Sequence, residues 1–300
     1  MTGFTVADVP PQAGKTIIVT GSNTGIGFEA AKMLAARGAR VLLACRSKDK
    51  AEAAMRRIGA EVGGADLAFL PLDQADLDSV RSAAELAAKE PRIDVLLNNA
   101  GVMMPPLSRT AQGSELQFGV NHLGTFALTG LLLQKLAESP GSRVVVTSSI
   151  AHKRGRIDFD NLDAVKGYNR GAFYAQSKLA NALFLLELDK RLRAAGSQVS
   201  VMGCHPGVAA SELMRHVPLG GLFAPLMGLL LNTAEQGAWP ALQAATDPQA
   251  QSGSYWGSQG MREMRGVSGP AMREPNALDA DAARRLWDVS VALTGVDPAI

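Results

Sequence analysis

Three groups of residues in this 300-residue chain have the types and spacing to do chemistry together. The first is a glycine-rich turn, Thr20-Gly21-Ser22-Asn23-Thr24-Gly25-Ile26-Gly27, which follows an apolar run and precedes a helical pattern. Glycines let a backbone approach a pyrophosphate, and the free N–H groups and dipole of a helix start favour its negative charge. Three glycines alone would also serve a plain tight turn, but the order strand, turn, helix is the context that dinucleotide binding requires. The second group is Tyr174 and Lys178, four positions apart in a helical pattern, so that their side chains share one face. A free phenol, with a pKa of about 10, is a poor base at neutral pH. A neighbouring ammonium and the positive charge of an oxidised nicotinamide would stabilise the phenolate. The third group is Arg46, with Ser47 and Lys48 behind it, at the end of the second apolar run. About 20 residues past a glycine turn, an acid would bind the ribose 2′-hydroxyl. No acid stands there. A guanidinium grips a 2′-phosphate through two N–H bonds where an Asp would repel it, so NADP(H) is the expected cofactor and NAD(H) the poorer fit. The plain alternative is that Arg46 is a solvated charge stacked on adenine.

These groups need a scaffold, and the chain supplies one by alternating short apolar runs with longer helical patterns. Strands are expected at Thr16–Thr20, Arg40–Cys45, 67–70, 94–97, 143–148, 198–203 and around Tyr255. Most are continuously apolar, as parallel strands covered on both faces are. Helices are expected at 25–37, 50–62, 75–89, 114–136, 172–195 and 233–246, with a last one at 279–293 that Gly295 would cap. The repeated strand-helix-strand order predicts an α/β fold: one Rossmann-type, doubly wound parallel sheet of about seven strands flanked by helices. Residues 1–300 are expected to form a single domain, with residues 1–13 as an N-terminal arm and 258–300 as a C-terminal extension. Residues 212–232 read as a substrate-covering segment, with Met214, Leu222, Phe223 and Met227 able to line an apolar pocket. A packed helix pair is the alternative reading of that region.

Composition narrows the function classes. Thirty Lys+Arg against 28 Asp+Glu leave a net charge of +2 with no block of like charges, which argues against a nucleic-acid partner. The longest apolar run, 219–231, is broken by Gly220, Gly221, Pro225 and Gly228 and is shorter than the roughly 20 residues a membrane span needs. Residues 1–14 lack the pattern of a signal peptide, and a cytoplasmic protein is expected. Cys45 and Cys204 sit in apolar runs and read as buried thiols, and four dispersed histidines show no metal-ligand spacing.

In sequence order, the glycine turn, Asn98-Asn99-Ala100-Gly101, Asn121, Ser148-Ser149, Tyr174-x-x-x-Lys178 and Pro206-Gly207 resemble the short-chain dehydrogenase/reductase family. The resemblance extends from about Lys15 to Gly257. Asn23-Thr24, Arg46 and the long stretch between Ser149 and Tyr174 resemble its retinol dehydrogenase and protochlorophyllide reductase branch. The resemblance implies that Ser149, rather than Ser148, holds the substrate oxygen, and that Lys178 also binds the nicotinamide ribose. It implies that Asn121 supports a helix irregularity whose carbonyl holds a water for proton replacement. Asp73, followed by Gln74, falls at the adenine site, with a helix N-cap as its compatible alternative. Asn99, Ala100 and Gly101 join the cofactor set. His205-Pro206-Gly207-Val208 would wrap the carboxamide, with Ser211 in place of the family's Thr. His152 and His205 read as structural residues, and Tyr168 as a loop aromatic. The 152–171 insertion either shapes a substrate pocket or packs over the sheet edge.

The expected function is an NADP(H)-dependent oxidoreductase interconverting a carbonyl and an alcohol on a mainly apolar small-molecule substrate, with Tyr174 as acid/base. A non-catalytic NADP(H) sensor or scaffold is one alternative, and a C=C reductase of protochlorophyllide-like type another. Family members often pair through the helices expected at 114–136 and 172–195, so a homodimer or homotetramer is possible unless the insertion and tail cover that surface.

Overall fold

A computed structural model describes residues 3–209, 231–298 and 300. Ser211, Met214, Leu222, Phe223 and Met227 lie outside these residues, as does nearly all of the 212–232 segment. The continuous apolar runs become strands for a simple reason: their alternate residues serve two different cores. Ile18, Leu42, Leu96, Val144 and Val201 point to one face of the sheet, and Ile17, Val19, Val41, Leu43, Val95, Leu97, Val145 and Met202 to the other.

The strands are β1 (Thr16–Thr20), β2 (Arg40–Cys45), β3 (Leu67–Pro71), β4 (Val95–Asn98), β5 (Arg143–Thr147), β6 (Ser200–Cys204), β7 (Tyr255–Gly260) and β8 (Arg265–Pro270). They form one sheet in the order β3-β2-β1-β4-β5-β6-β7-β8, parallel except for the antiparallel β7–β8 pair. Helices α1 (Gly25–Ala36), α2 (Lys48–Glu61) and α6 (Ala234–Thr246) cover one face. The other is covered by α3 (Leu77–Ala87), α4 (Leu116–Ala137), α5 (Arg170–Ala194) and α7 (Ala280–Thr294). Strand order reverses between β1 and β4, and the crevice at their carboxyl ends is where open α/β sheets bind ligands.

Among the described residues eight strands form where about seven were expected. The extra one, β8, reads Arg-Gly-Val-Ser-Gly-Pro and has no apolar run to betray it. It is held by backbone pairing to β7 and by the N-terminal arm, where Phe4 and Ser268 exchange N–H···O bonds of 2.8 and 3.0 Å. The residue 258 boundary of the expected extension therefore falls inside β7.

Helix α4 is long and apolar enough to cross a membrane, yet 83% of its apolar window is buried inside the protein. The pairing surface expected on α4 and α5 is also covered within one chain. Helix α7, capped by Asp279 and by Gly295 at φ +62°, lays Trp287 against Phe126 and Phe184 with ring centroids 5.1 and 6.0 Å apart. Ser290 of α7 meets His122 of α4 at 2.8 Å, and Val296 and Pro298 close over Gly130. Residues 173–185 of α5 are buried on every side.

Candidate active site

The glycine turn lies where β1 meets α1. Gly21 and Gly25 adopt φ of +66° and +58°, which L side chains rarely take. A Cβ on Gly21 would come within 2.9 Å of the Ala100 backbone. On Gly27 it would come within 2.5 Å of both the Gly21 carbonyl oxygen and Asn99 Nδ2. Thr24 is the N-cap of α1 but its side chain makes no cap hydrogen bond, so the first-turn N–H groups of Gly25, Ile26 and Gly27 are left for an anion. A backbone cradle with uncapped donors fits a dinucleotide pyrophosphate. Asn23 and Thr24 are partly exposed at its rim, and Ile26 packs beside Gly237 of α6. Ser22 is turned inward: its hydroxyl donates to the Val19 carbonyl at 2.8 Å and lies 3.5 Å from Cys45 Sγ, which leaves only its backbone for the cradle.

Thr20, at the head of the glycine turn, ties the two halves of the crevice. Its Oγ1 accepts the N–H groups of Asn99 and Ala100 at 3.0 and 2.9 Å, and its carbonyl accepts Asn99 Nδ2 at 3.0 Å.

At the far end of the crevice the Arg46 side chain is 78% exposed, and its Nη1 lies 3.8 Å from Asp73 Oδ2. Asp73 Oδ1 accepts the Ala75 N–H, a turn contact, while Asp76 and not Asp73 is the N-cap of α3. Ser47 caps α2 by accepting from the Lys50 N–H. Gln74 is buried, and its amide donates to the Val120 carbonyl and Thr125 Oγ1, so its side chain serves the core and not the crevice.

The candidate residues Ser149, Tyr174, Lys178 and Asn121 converge near the carboxyl ends of β4, β5 and β6. Ser148 is spent structurally, donating to the Lys178 carbonyl at 2.6 Å. Ser149 caps the one-turn helix Ile150–Arg154 by accepting the Ala151 N–H, and its hydroxyl is close enough to the Tyr174 phenol to act on its titration. Burial raises the Tyr174 phenol above its ordinary value, and the nearby Ser149 hydroxyl lowers it in part. Lys178 Nζ donates to the Thr147 carbonyl at 3.3 Å; burial lowers it to about 8, against a small opposing effect of Cys204. In the protein by itself both shifts disfavour the charged forms, so the charge that would stabilise a phenolate has to come in part from what binds beside it.

Asn121 lies in a π turn, Gly119–Leu123, inserted in α4. Its Oδ1 accepts the Val102 N–H at 2.7 Å, and its Nδ2 donates to the Val102 carbonyl and to Ser177 Oγ at 3.0 and 2.9 Å. Gly101 sits between Asn121 and Lys178: a Cβ there would be 3.0 Å from Asn121 Oδ1 and 3.3 Å from Lys178 Nζ. The expected helix irregularity is thus present at the expected residue.

Beyond β6, Gly207 adopts φ +69° and lies against the Met264 carbonyl and Asn232. Pro206 is held through its carbonyl by Asn232 Nδ2 at 2.9 Å, and the Val208 N–H is already donated to the Met264 carbonyl at 2.8 Å. His152 and His205 are buried and hydrogen-bonded within the fold. The insertion packs Ile157, Phe159 and Leu162 against the core shared by α5 and α7. Its end reaches the crevice, where the Tyr168 hydroxyl donates to the Pro105 carbonyl and accepts from Gln117 Nε2, each at 2.9 Å. Among the described residues no cluster of His, Cys, Asp and Glu could hold a metal ion.

A Rossmann-type sheet with a glycine cradle at the switch point and Ser149, Tyr174, Lys178 and Asn121 gathered beside it defines an oxidoreductase of the dinucleotide-binding kind. The chain belongs to the short chain dehydrogenase family, whose profile matches residues 15–219. It is 46% identical to human retinol dehydrogenase 11 over 286 residues, covering 94% of this chain and 86% of that protein. Human retinol dehydrogenase 13 is 45% identical over 294 residues, covering 95% and 86%. Among solved structures, a Mycobacterium paratuberculosis protein superposes with a TM-score of 0.85 at 38% identity, covering 100% of both chains. A Beutenbergia cavernae protein assigned as an NAD(P)-dependent gluconate 5-dehydrogenase, with NADP bound at low occupancy, superposes at a TM-score of 0.61 and 26% identity, over 79% of this chain and 92% of that one.

Proposed function

We propose that the protein is an NADP(H)-dependent oxidoreductase that interconverts a carbonyl and an alcohol on a mainly apolar substrate. A dinucleotide held by its pyrophosphate in the cradle would supply or accept the hydride at its nicotinamide ring. The chain's own residues handle position and proton. Ser149 Oγ holds the substrate oxygen next to the Tyr174 phenol. Tyr174 gives its proton to that oxygen in reduction and takes it back in oxidation. Lys178 binds the nicotinamide ribose and stabilises the phenolate when the site is charged. Asn121, by clamping Val102, keeps the π turn and the route of proton replacement in place. Gly21, Asn23, Thr24, Gly25, Ile26 and Gly27 cradle the pyrophosphate, and Arg46 and Asp73 take the adenosine end.

The observation that carries this reading is the convergence of Ser149, Tyr174, Lys178 and Asn121 within one crevice beside a donor-rich glycine turn. Support for a long apolar alcohol or aldehyde comes from the relatives named retinol dehydrogenase. The test is a panel of apolar aldehydes, alcohols and ketones, retinal and retinol among them, assayed with NADPH and NADH side by side. Faster turnover with NADPH on aldehydes is expected. Tight NADPH binding with no turnover on the panel would overturn this reading in favour of a sensor.

A further inference from the structure

The turn joining β7 to β8 holds three consecutive non-glycine residues in the left-handed region: Met261, Arg262 and Glu263, at φ +49°, +57° and +66°. L residues enter this region singly and reluctantly, and such strain persists only where the surroundings impose it. Met261 and Arg262 are exposed, and it is the Glu263 side chain that turns inward. The turn delivers the Glu263 carboxylate to three partners: Lys153 Nζ at 2.7 Å, His205 Nε2 at 3.3 Å and the Met272 N–H at 3.0 Å.

Two of these partners belong to the reactive elements. Lys153 is on the one-turn helix that Ser149 caps, and in that same turn His152 Nδ1 donates to the Ser149 carbonyl at 2.6 Å. His205 begins the loop His205-Pro206-Gly207-Val208. Its Nδ1 accepts the Gly207 N–H at 3.2 Å, which puts the ring proton on Nε2; that atom makes no hydrogen bond among the described residues and meets the Glu263 carboxylate as a close polar contact at 3.3 Å. The His205 ring is fully buried and fits only because residue 257 is glycine: a Cβ there would be 2.1 Å from Nε2. The neighbouring Met264 carbonyl accepts the Val208 N–H, so the same turn holds both ends of the loop. Burial pushes the Glu263 carboxyl up, but His205, Lys153 and the Met272 N–H outweigh it and hold it at about 2. It is an anion at every working pH.

We propose that Glu263 is a positioning residue that bridges Lys153 and His205 and so fixes the Ser149 turn against the 205–208 loop. The proposal rests on the catalytic reading above, since these two elements are the ones that would hold the substrate oxygen and the nicotinamide. Glu263 touches neither; it acts through Lys153 and His205.

The test uses the full chain with Glu263→Gln and Glu263→Asp. Three quantities are read: amide hydrogen exchange at 150–155 and 205–208, NADPH affinity by fluorescence, and kcat and KM on the best aldehyde of the panel. Glu263→Gln is expected to speed exchange in both segments by about tenfold as their local opening becomes easier. It is expected to lower kcat by about 10- to 100-fold, the scale of a small misplacement at a reacting centre, with NADPH affinity changed by less than about threefold. Glu263→Asp should recover part of both effects. Unchanged exchange in the two segments, or kcat within about twofold of the parent, overturns the proposal. If the parent turns over no substrate, the catalytic reading fails while exchange still decides whether Glu263 ties the two segments. If Glu263→Gln does not fold, Lys153→Met is read in its place: faster exchange at 150–155 supports the bridge, and unchanged exchange overturns it.

Discussion

Replacing Arg46 by alanine should separate the two nicotinamide cofactors. The Arg46 side chain is 78% exposed and its one described ionic neighbour, Asp73, is 3.8 Å away. An exposed pair at that distance contributes about 0–1 kcal/mol, so turning the guanidinium to a ligand costs little. Against this, charge-assisted hydrogen bonds to a 2′-phosphate contribute about 1.5–3 kcal/mol. The net is about 0.5–3 kcal/mol, or roughly 2- to 150-fold in affinity. Direct titration of the parent and Arg46→Ala with NADPH and with NADH reads both sides. NADPH should weaken by that factor while NADH changes by less than about threefold, and the difference should shrink as salt screens the exposed charge. Equal losses for both cofactors, or none for NADPH, would refute the assignment of Arg46 to the 2′-phosphate.

Three further outcomes follow from the packing and the charges. Trp287→Ala removes a buried ring that meets Phe126 and Phe184 and lies 4.4 Å below the Arg191 guanidinium; it should cost about 3–5 kcal/mol and lower Tm by roughly 5–8 °C in a thermal melt. Because burial raises the Tyr174 phenol, its protonated form dominates at neutral pH, so initial rates of alcohol oxidation should climb with pH while carbonyl reduction does not. Above about 8 the Lys178 ammonium is lost and the climb should level off; an oxidation rate that falls between pH 6 and about 8 would contradict this. Since α7 and the 296–298 tail cover α4 and α5, cross-linking mass spectrometry should find no intermolecular links on those two helices.

What the sequence made legible follows from the physics of each element. A parallel strand between two cores must be apolar at every position, so β1, β2 and β5 announce themselves. Gly295 marks the end of α7 because a left-handed cap suits glycine. The cradle was readable because the glycines at 21 and 27 face backbone at contact distance, which no other residue tolerates. Strand β8 was not, because its bonds are backbone bonds and its residues are turn formers. Motif position also fails to tell which way a side chain turns: Ser22 and Gln74 stand in cofactor motifs yet spend their polar atoms on Val19, Val120 and Thr125. Glu263 left no signal at all, since Met-Arg-Glu is not a sequence that favours left-handed backbone, and only its contacts with Lys153 and His205 explain it.

The central claim is that the Tyr174 phenol carries the proton. It is tested most directly by measuring kcat and NADPH affinity of Tyr174→Phe, a change that removes one oxygen and keeps the buried ring. A positioned general acid contributes about 10²- to 10⁴-fold, so kcat should fall by about 10³-fold while NADPH affinity stays within about threefold of the parent. Turnover within about tenfold of the parent, with the cofactor bound as before, would contradict the account.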